Sequence, residues 1–391
     1  MTVRVGLGIS EEDSAFAAGR AAAQEACAAL GTVEPRLAVV LATPQHDQAQ
    51  LLEGIRSLTR TAPLIGGSSP WLLTSRGLYA RGAAVLLLGA DEIACLVAHS
   101  PLSETGHGDV AALAAALAGA ADARALLMLA HYRTSPSSAW LRAVHRVAGR
   151  QIPLAGGVLS MDPRHPKAVL YHHANVSDAG AVVALLRGAI RIGVGAAHGW
   201  RPIGAPRRTT RTEGCVVHTI NGAPAAGLYR DYFGEAAVQQ AAGETLPRMT
   251  VTYPLGVSRG ARALRPLLRS VERIHEDGSL ACLGEVPQEA WVRLMIASRR
   301  SVVDAAAHAA ALAISRLRQT RCALVLESTA RHRLLGRHAA EEVPALQRVL
   351  GLHVPFIGGV TQAEIVPSYR SARHVDVELH NETISVIAVG E

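Results

Sequence analysis

One pattern occurs three times along the chain: an apolar strand, a polar loop, an amphipathic helix, then proline, two mostly apolar residues and Gly-Gly. The first copy has Leu37-Ala38-Val39-Val40-Leu41, a helix expected near Asp47 to Leu58, and Pro63-Leu64-Ile65-Gly66-Gly67. The second has Ala125 to Leu129, a helix near Pro136 to Ala148, and Pro153-Leu154-Ala155-Gly156-Gly157. The third has Ala323 to Leu326, a helix near Glu341 to Leu350, and Pro355-Phe356-Ile357-Gly358-Gly359. A strand, a helix and a return to a strand make a β-α-β unit. The paired glycines permit backbone approaches that a side chain would forbid, so they suit a turn or the floor of a pocket.

The helices carry physical signals. Asp47 suits an N-cap, with Leu51, Leu52, Ile55 and Leu58 on one face. Ser135 is expected to cap the second, with Pro136 at the first helical position and Trp140, Val144 and Val147 facing inward. Val343, Leu346 and Leu350 stripe the third. Ser10-Glu11-Glu12-Asp13 reads as a capping box opening a helix to about Leu30, stopped by Gly31. Ser301 with Asp304 opens another, to about Leu317. Ala83–Leu88 and Ile93–Ala98 read as neighbouring strands, and Ile384–Val389 as a C-terminal strand. Residues 201–214, rich in Pro, Arg and Thr, read as a linker between a module at 1–200 and a second at 215–391. The expected fold is α/β, two lobes of mixed sheets flanked by helices and built on the repeated unit.

Composition narrows the function. No uninterrupted apolar stretch is long enough for a membrane span; the best, Ala111–Ala130, is broken by Asp122 and Arg124. The N-terminus lacks the apolar core of a signal peptide, so a cytoplasmic protein is expected. Five scattered cysteines form no C-x-x-C pair and imply neither a disulfide framework nor a zinc knuckle. The net charge of +7 comes almost wholly from arginine. Its densest clusters, Arg207-Arg208 with Arg211 and Arg331, Arg333 and Arg337, lack the interleaved aromatics that base stacking uses, so no nucleic-acid partner is expected.

These landmarks resemble the FIST family, with its N-terminal and C-terminal modules. The N-terminal likeness runs through Gly8-Ile9-Ser10, Gly19-Arg20, Leu37–Thr43, Pro63 to Ser69 and Ala83–Leu88. The C-terminal likeness includes Tyr253-Pro254-Leu255-Gly256, Gly284-Glu285-Val286-Pro287, Val292-Arg293-Leu294-Met295, Glu342, Pro355 to Gly359, Glu364-Ile365 and His380-Asn381-Glu382-Thr383. The resemblance implies a sensory, ligand-binding protein of signal transduction, acting through a separate histidine kinase or cyclase. It suggests amino acids or related metabolites as ligands, or haem in a nitric-oxide sensor. The chain departs from the family at Ser328-Thr329-Ala330-Arg331, where a Cys-x-x-Arg is typical, and at Ala363-Glu364-Ile365, where Gly-Glu-Ile is usual.

The candidate ligand-binding residues follow. Arg331 supplies bidentate donors for a carboxylate, and Glu342 and Glu364 accept from an ammonium, with Asn381 close by. The same residues also suit an ordinary ion pair that orders the last loops. Gly66, Gly67, Ser68 and Ser69, and Gly358 and Gly359, are expected to line the pocket at the strand ends; Ser68 and Ser69 equally suit a turn or cap. Haem would need an axial ligand, for which His131, His172, His173 and His380 are the strand-end candidates, with no C-x-x-C-H for covalent attachment. Gly256-Val257-Ser258-Arg259-Gly260 matches the five-residue nucleophile elbow and leaves a hydrolase using Ser258 as an alternative. No phosphate-binding Gly-Lys-Ser/Thr loop or His-Glu-x-x-His occurs, and the chain is expected not to be an enzyme. A protein-binding adaptor is the third class, marked by an exposed apolar patch where a sensor has a partly polar cavity.

Overall fold

The computed structural model describes residues 3–117, 122–162, 164–165, 167–245, 247–261, 266–371 and 374–391. All three β-α-β units form. Leu37–Ala42 pairs in parallel with Leu64–Ser68, Ala123–Ala130 with Leu154–Leu159, and Thr320–Ser328 with Phe356–Ser371. The register is the same each time: Val40, Met128 and Val325 lie opposite Gly66, Gly156 and Gly358. A Cβ on those glycines would sit 1.9, 1.7 and 2.2 Å from the partner's carbonyl oxygen. Close approach of the backbones, which only glycine allows, accounts for the first glycine of each pair.

The repeat is larger than the sequence pattern. Each copy opens with an edge strand (Arg4–Ser10, Ile93–Ser100, Arg191–Ala197) and a helix (Ala15–Leu30, Val110–Ala116, Arg299–Ile314) before its β-α-β unit. Each closes with a strand (Ala83–Gly89, Ala181–Gly188, Ile384–Gly390) inserted between the opening strand and the first strand of the unit. The first copy lies in a six-stranded sheet; the second and third share an eleven-stranded one, joined where Ala363–Ile365 pairs with Val158–Gly156. Ala83–Gly89 and Ile93–Ser100, expected as neighbours, therefore lie in different sheets, because each must close or open its own copy.

The copies interlock cyclically. The second glycine of each pair opposes a segment of another copy: Gly67 faces Leu170, Gly157 faces Glu364 and Gly359 faces Leu72. A Cβ there would meet Leu159 at 2.4 Å, Thr361 at 2.8 Å and Ser69 at 2.6 Å, and these are equivalent residues, two beyond each Gly-Gly. Leu159, Thr361 and Ser69 are all buried. The Gly-Gly ends of the three copies thus pack against one another through buried residues.

The third copy is interrupted between its opening strand and helix by residues 201–296, which build an eight-stranded sheet around Val217, Tyr229, Leu255, Val271, Leu280 and Leu294. The expected linker at 201–214 is instead the strand Arg201–Glu213, which pairs with Trp291–Ile296 and then Val216–Ile220. β-branched Thr209 is buried in it, donating to Pro287 O at 2.9 Å, and Arg207 and Arg208 pair with Asp231 and Glu289. The Thr and Arg content that suggests a linker serves here as a half-exposed strand face.

Several caps shift. The opening helix is capped by Ser14, because Ser10 is still paired with Ala83 in a strand. Ser137 caps the second repeat's helix, receiving Trp140 N at 3.1 Å, since Ser135 precedes proline and stays extended. A reciprocal box between Ser298 and Ser301 opens the third copy's helix three residues earlier than expected.

Candidate functional site

Glu327 is the penultimate residue of the strand Thr320–Ser328, and Ser328 caps the helix Thr329–Leu335 that presents Arg331. Glu342 is the first residue of the next helix, and Glu364 lies in the long Gly-Gly strand. The turn Asn381-Glu382-Thr383 joins the last two strands, with Glu382 in the left-handed region at φ +58°. Glu327, Arg331, Glu342, Glu364, Asn381 and Glu382 are all completely buried.

Arg331 ties this cluster together. It pairs with Glu342, and donates to the carbonyls of His198 and Val302 at 2.8 Å each. Thr361 donates to Glu364 at 2.7 Å, Ser270 to Glu382 at 2.6 Å, and Ser270 N to Asn381 Oδ1 at 3.4 Å. Glu342, Glu364 and Glu382, buried carboxyls that share the field of one guanidinium, cannot all ionise without a steep desolvation penalty. Burial, reinforced by the neighbouring Glu327 and opposed by Arg331, pushes Glu342 upward. Burial also pushes Glu382 up to about 8, against the Ser270 hydrogen bond and Arg331, and holds Glu364 well above the usual range.

A pH dependence follows. Between the ordinary value of 4.5 and about 8, the folded Glu382 keeps a proton that the unfolded chain has released. Its contribution to stability is complete below 4.5 and is lost as pH rises through about 8, at up to about 1.4 kcal/mol per pH unit. Urea unfolding at pH 5.5 and 8.5 should show a smaller loss of stability in Glu382→Gln than in the wild type. Equal losses would contradict a protonated Glu382.

The structure therefore brings together four of the expected residues, Arg331, Glu342, Glu364 and Asn381, in a completely buried cluster. It places the other six elsewhere. Gly66, Gly67, Gly358 and Gly359 lie where the copies meet, and a Cβ on any of them would strike protein atoms. Ser68 Oγ receives Val169 N at 2.9 Å, and Ser69 Oγ donates to Trp71 O at 2.7 Å and receives Val360 N at 2.8 Å. Those six residues take part in the packing between the copies. Glu327, Glu382 and Ser270 are the members of the cluster that the sequence reading missed.

Open space lies next to the cluster. A cleft of about 820 Å³ runs between the edge strand Arg191–Ala197, the helix Arg299–Ile314 and the hairpin around Val366 and Val375. Arg124, Gln151, His308, Ser368, Glu378 and His380 give it a mixed polar lining. A second depression of about 590 Å³ adjoins it, sharing Arg124, Ile192 and Arg316. His198 and Thr383 line the cleft, while the His198 carbonyl accepts from Arg331 and Thr383 follows Glu382. The cleft and the buried cluster thus share a wall.

The other candidate chemistry does not assemble. Ser258 ends the strand Leu255–Ser258 and donates to Gly260 O at 2.9 Å; the chain then bends where an elbow would enter a helix. His131 has both ring nitrogens occupied, Nε2 against Ala168 O at 3.0 Å and Nδ1 receiving Arg133 N at 3.2 Å. His172 stacks on His99 with centroids 4.7 Å apart, and neighbouring His173 has φ +51°. His380 lies 3.6 Å from Glu378. Among the described residues, no group of three or more His, Cys, Asp and Glu side chains is placed to hold a metal ion.

The family model of the FIST N domain matches residues 36–223, and that of the FIST C domain matches residues 225–367. The chain belongs to the FIST family. FIST domains are sensory domains that bind small ligands in signal transduction. Two uncharacterized proteins from two strains of Mycobacterium tuberculosis are 29% identical to this FIST protein over 226 residues. The match spans 57% of this chain and 57% of each relative. Among solved structures, a cyanuric acid hydrolase from A. caulinodans aligns over 100% of both chains at 10% identity with a TM-score of 0.33, a likeness too low to bear on fold or activity. No helix among the described residues is long and apolar enough to cross a membrane.

Proposed function

We propose that this FIST protein is a non-catalytic sensor of an amino acid or related small metabolite, bound in the 820 Å³ cleft. The carrying observation is the shared wall: a ligand against His198 and Thr383 touches the backbone that holds Arg331 and Glu382 in place. The volume falls in the range of small-molecule sites, about 300–1,000 Å³. The lining offers arginine for a carboxylate, and Glu378 for an ammonium. A ligand that favours one arrangement of the wall shifts the population of the buried cluster, and a separate histidine kinase or cyclase reads the change.

Haem is not the ligand we propose, since the engaged nitrogens of His131 and the stacked ring of His172 suit structural roles. The test is a thermal-shift screen of amino acids and their keto and hydroxy analogues, beside an absorption spectrum of protein expressed with haem precursor. A saturable rise in melting temperature with one chemical group of metabolites is expected. A stoichiometric Soret band shifted by nitric oxide would replace this reading with the haem sensor.

A further inference from the structure

The three copies place an arginine at one equivalent position. Counting back from Val40, Met128 and Val325, each opposite the first glycine of its pair, the fourth residue is Arg36, Arg124 and Arg321. Arg124 and Arg321 also share a local irregularity. Leu186 and Arg187 pair with Ala125 and Ala123, and Val389 and Gly390 with Cys322 and Thr320, so each arginine is the residue left out of the ladder.

What faces these two arginines differs. Arg321 Nε and Nη2 lie 3.2 and 3.0 Å from Glu391 Oε1, which also accepts Val3 N at 3.1 Å across the boundary between the third and first copies. By the same registers Gly188 is the counterpart of Glu391, and Ile190 is the counterpart of Val3. There Arg124 Nε donates to Gly188 O at 2.9 Å, and Ile190 N donates to the same oxygen at 2.9 Å. The donor pattern is kept, but a neutral main-chain carbonyl replaces the carboxylate. No carboxylate lies within salt-bridge distance of Arg124 among the described residues, although Asp122 is near enough to share its field, and Arg124 is exposed where the two cavities meet.

We infer that Arg124 anchors the carboxylate of a small-molecule ligand in this cleft, taking from the ligand the charge that Glu391 supplies to Arg321. The inference rests on the sensor reading above and deepens it. Arg191, Arg316 and Glu391 line the depression on the same side as Arg124. A charged hydrogen-bonded guanidinium–carboxylate contact of this kind fixes one end of a ligand and leaves the rest of the cleft to select its body.

The experiment is a thermal-shift titration of the whole chain with propionate, pyruvate and L-alanine, at constant ionic strength set with chloride. Propionamide and L-alaninamide serve as probes without the carboxylate, and Arg124→Gln is compared with the wild type. At least one carboxylate is expected to raise the melting temperature saturably, with its apparent affinity falling tenfold or more in Arg124→Gln. Carboxylate effects that survive Arg124→Gln unchanged would overturn the anchor. Amides that act as well as the acids would overturn it too, while leaving a ligand-binding cleft. If neither acids nor amides act on the wild type, the anchor and the small-metabolite reading fall together.

Discussion

Replacing Arg331 with alanine is expected to destabilise the protein by about 3–5 kcal/mol, the usual effect of removing one partner from a buried ion pair. The guanidinium is completely buried and meets Glu342 and the carbonyls of His198 and Val302. Its loss leaves those buried acceptors without their donor and removes the buried cation whose field reaches Glu342, Glu364 and Glu382. Denaturant unfolding checks it, and the double variant Arg331→Met with Glu342→Gln should recover part of the loss by removing both charges. A single variant within about 1 kcal/mol of wild type, as for an exposed pair, would show that the cluster is hydrated.

Alanine at Gly156 is expected to cost about 3 kcal/mol or more, at the upper end of overpacking effects. Its Cβ would lie 1.7 Å from Met128 O, and the residue sits at φ +157°. Gly66→Ala and Gly358→Ala meet the equivalent carbonyls at 1.9 and 2.2 Å and should also be severe. Gly227→Ala is the control: nothing lies within 4 Å of its Cβ, and it begins a helix, where alanine is favoured over glycine. Unfolding midpoints of the four variants should separate cleanly. A mild effect at all three Gly-Gly positions would contradict the shared packing of the copies.

The three units were legible because Pro-x-x-Gly-Gly reflects a local steric need repeated in each. The full copies were harder to see. Arg4-Val5-Gly6-Leu7-Gly8 and Arg191-Ile192-Gly193-Val194-Gly195 are near-copies that open the first and third units. Their glycines admit helix backbone: Cβ atoms on Gly6 and Gly193 would strike Ala26 O and Ala313 O at 1.9 and 1.8 Å. The interruption at residues 201–296 hides this likeness by separating the third opening strand from its helix. In the site, Arg331, Glu342, Glu364 and Asn381 could be picked out as charged or polar residues beside apolar elements. Their complete burial could not, because their partners are distant in sequence: Arg331 meets His198 and Val302, and Ser270 of the insert reaches Asn381. The cleft is formed between copies distant in sequence, so no local pattern signals it. Arg36, Arg124 and Arg321 do carry a signal, visible once the three units are aligned.

The most direct test of the central claim, that the ligand occupies the cleft, is the thermal-shift response of Ala196→Trp. Ala196 lines the cleft on the edge strand and is only partly buried, so the larger side chain fills cleft space without entering the core. The variant is predicted to fold with a near wild-type melting temperature and to lose the stabilisation that the responding metabolite gives the wild type. A ligand response retained in full by a well-folded Ala196→Trp would contradict the assignment and send the search for the binding site elsewhere in the molecule.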